Sequence, residues 1–150
     1  SAGMAVSWGD YDNDGYIDLY VSNMYSSAGQ RITYQRNFMA EASEETRLQM
    51  QRHAGGNTLF KHMGDGTFQD VSQTRNTNMG RWAWGSIFFD YNNDSLIDLY
   101  ITCGHDMDRL YRNNGDGTFT DKSFSANIAE TDNRNTTGVV TGDIDNDGHR

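Results

Sequence analysis

The sequence predicts an all-β fold of β-propeller-type blades, each made of four antiparallel strands, with a partly helical insertion in the first blade. Three observations carry the prediction. An acidic loop recurs three times, as Asp10-Tyr-Asp-Asn-Asp-Gly-Tyr-Ile-Asp18, Asp90-Tyr-Asn-Asn-Asp-Ser-Leu-Ile-Asp98 and Asp143-Ile-Asp-Asn-Asp-Gly-His149, at intervals of 80 and 53 residues. A second segment recurs 51 residues apart, as Leu59-Phe-Lys-His-Met-Gly-Asp-Gly-Thr-Phe68 and Leu110-Tyr-Arg-Asn-Asn-Gly-Asp-Gly-Thr-Phe119. Between these segments lie short runs rich in aromatic and β-branched residues and bounded by Gly, Asn or Asp, as strands are. A period of 51 to 53 residues falls among propeller and array repeats, in which each unit buries its faces against its neighbours.

The second unit serves as the template. Its strands are expected at Trp84 to Phe89, Asp98 to Thr102, Arg109 to Asn113 and Thr118 to Lys122, with the acidic loop after the first. Gly115-Asp116-Gly117 supplies positive-φ positions for the hairpin joining the last two strands, as does Gly64-Asp65-Gly66 in the first unit. In those turns Asp65 and Asp116 are read as turn-stabilising residues. Asp18 lies 41 positions before Leu59 but Asp98 only 12 before Leu110, so the first unit carries 29 extra residues. Within that insertion a helix is expected from about Ser43, which can cap it, with Glu44 and Glu45 in the first turn, Arg52 and His53 near the end, and Gly55-Gly56 following. The units are therefore 1–80 with an insertion at about 24–57, 81–130, and 131–150 as the incomplete start of a third blade.

Length and composition bound the function. The chain of 150 residues is about one domain long. With Gly counted it is roughly 46% apolar, which excludes a disordered or collagen-like chain. No apolar run approaches the roughly 18 residues of a membrane span, and no basic stretch followed by an apolar one opens the sequence. The lone Cys103 cannot form an internal disulfide and is read as a small core residue at a strand end. The net charge of −9 argues against a nucleic-acid partner. Ten of the 21 acids fall in the three loops, and such concentrated charge repels itself unless a cation sits within it.

Calcium takes six to eight oxygens, and short Asp or Asn side chains at alternate positions of a curled loop point that many inward. The first loop offers Asp10, Asp12, Asp14, Asp18 and the Tyr16 carbonyl, with Gly15 allowing the turn. In the second, the corresponding ligands are Asp90, Asn92, Asp94, Asp98 and the Leu96 carbonyl, but Ser95 replaces the glycine, which implies strain or weaker binding. The third offers Asp143, Asp145, Asp147 and the His149 carbonyl, and its ninth position lies past Arg150. The expectation is thus two complete Ca2+ sites and a third incomplete one. Three divalent ions would offset six of the nine net negative charges. An EF-hand is excluded because Val21 and Ile101 stand where its twelfth-position Glu must be.

Other groups carry weaker signals. His53, His62, His105 and His149 lack ligand or catalytic spacing, so no catalytic residue is assigned and the chain is read as non-enzymatic. Trp82 and Trp84, beside Arg81, are read as packing between blades, with a sugar-stacking surface as the competing reading.

The acidic loops with their following Leu-Tyr strands, and the hairpins ending in Gly-Asp-Gly-Thr-Phe, resemble the FG-GAP or VCBS repeats of integrin-α-like β-propellers. Together with Ser26 to Thr33 and Gly80 to Gly85 they are most similar to bacterial ASPIC/UnbV-type and cartilage acidic protein-like proteins. The resemblance implies a calcium-stabilised module that is extracellular, on the cell surface or periplasmic, with a structural, adhesion or scaffolding role. The alternatives are a lectin-like carbohydrate-binding propeller and a noncatalytic module of a polysaccharide-active enzyme. The implied partner is a protein or glycan ligand at a surface, without membrane insertion. A closed propeller needs at least four blades, so further blades or self-assembly are expected to complete the fold.

Overall fold

A computed structural model of the chain describes residues 3–25, 27–104, 106–128 and 135–143. Asp145, Asp147, His149 and His105 lie outside the described residues.

Two four-stranded antiparallel sheets form the body. Blade 1 contains β1 (Gly3–Gly9), β2 (Asp18–Asn23), β3 (Thr58–His62) and β4 (Phe68–Asp70), hydrogen-bonded in that order. Blade 2 repeats the arrangement with β5 (Ala83–Phe89), β6 (Asp98–Cys103), β7 (Arg109–Asn113) and β8 (Phe119–Asp121). The expected strands of blade 2 therefore hold to within a residue or so at their ends. Strand β8 begins after Thr118 because the Thr118 N–H donates to the Asp116 carboxylate (2.8 Å) instead of to a strand partner.

Turn chemistry fixes the hairpins. Gly64, Gly66, Gly115 and Gly117 all adopt positive φ, between 77° and 86°. The Asp65 carboxylate accepts from the Thr67 N–H (2.9 Å) and hydroxyl (2.6 Å), and Asp116 does the same for Thr118 at 2.8 and 2.5 Å. Both aspartates thus have the turn-stabilising role read from sequence.

A second pair of aspartates holds the other end of each hairpin. Asp70 accepts from the Ser72 N–H and hydroxyl, while the Ser72 hydroxyl oxygen accepts from the Leu59 N–H (2.9 Å). Asp121, Ser123 and Leu110 repeat that arrangement.

The insertion between β2 and β3 holds two helices, α1 (Ser27–Thr33) and α2 (Glu44–Ala54). Ser43 caps α2 as expected, its hydroxyl oxygen accepting from the Thr46 N–H (3.2 Å). Helix α1 was not legible in the sequence, because Gly29, Ile32 and Thr33 are poor helix formers. Tertiary contacts support it: the Tyr25 hydroxyl donates to Gln30 (3.0 Å) and the Gln51 amide of α2 donates to the Thr33 carbonyl (3.2 Å).

The core lies between the two sheets. It contains Tyr11, Tyr20, Leu59 and Val71 from the first unit and Ala83, Leu99, Ile101, Cys103, Tyr111 and Phe119 from the second, with Phe88 against them. Cys103 is fully buried at the end of β6, and its thiol donates to the Gly80 carbonyl (3.0 Å). Burial pushes that thiol up to about 12, so it is inert core. The Ser7 hydroxyl donates to the Ser86 carbonyl (2.7 Å) across the seam, and Tyr20 meets Phe88 edge-on. Residues 80 apart are equivalent, so Val6 and Trp8 correspond to Ser86 and Phe88 of the face that blade 2 lays against blade 1. In blade 1 that same face is open, with Val6 55% and Trp8 59% exposed.

The seam is close at Gly9, where an added Cβ would lie 3.0 Å from the Phe88 Cβ and 3.1 Å from its Cγ and Cδ2, ring atoms that alanine in place of Phe88 removes. Gly9→Val is expected to destabilise the chain by about 2 kcal/mol through overpacking. Combined with Phe88→Ala, it should cost less than the two single losses summed, by about 1 kcal/mol, in a denaturant double-mutant cycle.

Candidate metal centre

The first two acidic loops are organised around the carboxylates at their two ends. In the first, the Asp14 N–H donates to Asp10 Oδ1 (3.0 Å) and the Gly15 N–H to Asp10 Oδ2 (2.9 Å). The fully buried Asp18, which opens β2, accepts from the Tyr11 N–H (3.2 Å) and from the His62 N–H at the end of β3 (2.8 Å). The second loop repeats the pattern. Asp90 accepts from the Asp94 N–H (3.2 Å) and Ser95 N–H (2.7 Å), and buried Asp98 accepts from the Tyr91 N–H (3.0 Å) and Asn113 N–H (2.8 Å).

The backbone conformations match the residue types. Gly15 has φ 88°, and Ser95 is forced to φ 67°, the left-handed region that costs an L-residue about 1–2 kcal/mol. The strain expected at that substitution is therefore present. Asn13 and Asn93, at φ 55° and 58°, occupy the same region, which asparagine tolerates better.

The structure brings three of the predicted ligands of the first loop together. Asp10, Asp12 and Asp18 present carboxylate oxygens that lie within 4.8 Å of one another, a trio unique among the described residues. Asp12 Oδ1 is buried and accepts no hydrogen bond. Desolvation raises Asp18 and Asp98 above the usual carboxylate range, outweighing the backbone hydrogen bonds that act the other way. Converging carboxylates, one with an unpaired buried oxygen and one destabilised by burial, form a donor set suited to a hard divalent cation. The residues present fit such an ion.

The remaining predicted ligands stand around this trio. Asp14 accepts from the Tyr16 N–H (3.0 Å) and forms an ion pair with Lys61. The Lys61 hydrogen bond, then that of Tyr16, holds the Asp14 carboxyl below its ordinary range. Tyr16 stacks on His62, with ring centroids 5.2 Å apart, and lies over Gly64. In the second loop Asn92 donates to Asp94 Oδ2 (2.9 Å), the Leu96 N–H donates to Asp94 Oδ1 (3.0 Å), and the Leu96 side chain lies against Gly115. Asp143 of the third loop is exposed.

A family model described as an FG-GAP-like repeat matches residues 50–101 and again residues 90–150. The chain belongs to the FG-GAP-like repeat family. Its repeats extend upstream of the matched residues, because β1, β2 and the loop of Asp10 to Asp18 reproduce the elements of blade 2. None of the curated proteins matches the chain.

Within these FG-GAP-like repeats, two residues matter that the sequence reading missed. Lys61 forms ion pairs with both Asp12 and Asp14. Asn113 joins the two loops: its N–H binds Asp98, and its amide donates to the Tyr11 carbonyl of the first loop (2.6 Å) and to the Ile97 carbonyl (3.0 Å). Their signal was faint, since Lys61 lies three residues and Asn113 two residues before a Gly-Asp-Gly turn that already explains the local sequence.

The histidines and tryptophans separate by environment. The His62 ring packs against Tyr16 and Phe68, and its Nδ1 accepts from the Gly64 N–H (2.9 Å). Trp84 packs on Gly104, just past β6 of its own blade, so this contact lies within a blade and not between blades. Trp82 does not share that fate. It precedes β5, bridges to Met24, stays 44% exposed and borders a cavity of about 480 Å³ with Tyr25, Arg81, Gly104 and Asp106. Arg81 pairs with Asp106 (2.7 Å) and adopts φ 45°.

Asn113→Ala should lower stability by about 2–3 kcal/mol, because it leaves the buried Tyr11 carbonyl without a donor and opens a small cavity. Urea unfolding measures that loss.

Proposed function

We propose that the chain is a non-enzymatic, calcium-binding repeat module that acts outside the cell or at its surface in adhesion or scaffolding. The observation that carries this reading is the convergence of Asp10, Asp12 and Asp18 around the unpaired Asp12 Oδ1. An ion there would supply the positive charge that lets the carboxylates converge. The chain's own part is to hold them: Asp10 wraps the turn through two N–H groups, and Asp18 anchors the loop to β3. Asp90, Asn92, Asp94 and Asp98 would hold a second ion, and Asp143, Asp145, Asp147 and His149 belong to a third loop of the same type. Calcium is favoured over magnesium because magnesium keeps several waters and seldom enters an all-protein cage. Loops of this kind fill where calcium is plentiful, which supports an extracellular, surface or periplasmic setting. No helix among the described residues is long and apolar enough to cross a membrane.

If the reading holds, chelation lowers Tm and calcium restores it. Hundredfold excess over Kd adds about 2.7 kcal/mol per site, or about 5–10 °C for a domain of this size. An unchanged melting curve in a chelator would contradict the reading.

A second reading, a glycan-binding module, is favoured by the exposed Trp82 beside Tyr25 and the Arg81–Asp106 pair, since an aromatic face with charged neighbours suits a sugar ring. On that reading Trp82→Ala abolishes capture on a glycan array and leaves Tm within about 1 °C, in keeping with loss of an exposed side chain. Wild-type chain that captures no glycan disposes of it.

A further inference from the structure

Resting on the calcium reading, we propose that Lys61 is a built-in competitor for the cation of the first loop: its ammonium holds the loop folded without an ion and lowers the loop's affinity for one. The Lys61 Nζ bridges Asp12 and Asp14 and lies 5.9 Å from the centroid of the Tyr11 ring. Its side chain is 19% exposed, and that of Asp12 is 17% exposed, so the pair is shielded. The backbone beneath it is fixed from both sides. The His62 N–H is bound to Asp18, and buried Leu59, on the same strand face as Lys61, donates its N–H to Ser72. Lys61 is therefore delivered to the loop by the same strand that closes it.

Asp12 is both the carboxylate with an unpaired buried oxygen and the main partner of Lys61. A dication at the Asp10, Asp12 and Asp18 trio would face the ammonium across one carboxylate, and the two positive charges repel. Ion entry is thus opposed by the ammonium, and is relieved when Lys61 swings out to solvent and gives up its pairs.

The second loop lacks this device. Arg112 stands at the position of Lys61, and among the described residues no ion pair reaches Asp90, Asp94 or Asp98. There the place of Asp12 is taken by Asn92, whose amide donates to Asp94. The loop with a fourth carboxylate is the loop with the lysine, so the ammonium leaves both loops with the same excess of negative charge.

The test is a calcium titration of the whole chain followed by NMR at the Gly15 and Ser95 amides, which report the two loops separately. Wild type is compared with Lys61→Met and with Lys61→Gln, whose amide can still donate to Asp12 and help the loop fold. Both substitutions should lower the calcium midpoint at Gly15 by about tenfold, as expected for loss of a shielded ion pair and of cation–cation repulsion. The Ser95 midpoint should move much less than the Gly15 midpoint, because the loops are joined only through Asn113, and Tm in chelator should fall. A Gly15 midpoint that stays or rises, or a chelator Tm that is unchanged, overturns the competitor role while the calcium reading stands. Amides that respond to calcium in none of the three proteins overturn the calcium reading and this inference with it.

Discussion

The buried carboxylate at the ninth position of the first two acidic loops, Asp18 and Asp98, sets the geometry of everything around it. Asp18 and Asp98 begin the second strand of their blades, so each is locked into sheet pairing through its backbone while its side chain reaches two other segments. One oxygen takes the N–H of the loop's second residue, and the other takes the N–H at the end of the third strand. Loop, second strand and third strand are thereby joined at one side chain from which water is excluded. Such a group carries a desolvation cost that two neutral hydrogen bonds only partly offset, as the upward shift of both carboxyls indicates. A nearby cation relieves that cost, which is why the same arrangement serves as architecture and as a candidate site.

Much of this was legible in the sequence because it is local. Alternating aspartates, a Gly-Asp-Gly turn and a β-branched run each act within a few residues, so their spacing alone places the loops, the hairpins and most strands. Ser95 is a useful case: the strain follows from reading a serine where the equivalent position holds glycine, and its φ of 67° shows that the backbone holds its course across that exchange.

What the sequence hid depends on register and on neighbours far along the chain. Lys61 lies 49 residues from Asp12, and its meeting with the loop follows only from the pairing of β3 with β2. Asn113 lies 102 residues from the Tyr11 carbonyl that it binds. Trp82 escaped the packing reading because strand β5 starts one residue later, and the irregular register between Ala83 and Gly85 makes simple alternation a poor guide there. Helix α1 failed on propensity and exists through its contacts with Tyr25 and α2.

Asn113 also makes the loops parts of one structure. Its N–H reads the buried carboxylate of blade 2, and its amide reads the Tyr11 carbonyl in the first loop. The Tyr11 side chain, fully buried, packs against Phe119 of β8, with ring centroids 5.6 Å apart. Order in the first loop is therefore felt at the third and fourth strands of the next blade, through one hydrogen bond and one aromatic contact. A cation or an ammonium in that loop fixes more than a turn, because the residue beside Asp10 and Asp12 is part of the inter-blade core. Between these two blades, charge compensation in the first loop and apolar packing along the seam cannot vary independently, because the first loop is held by the blade after it.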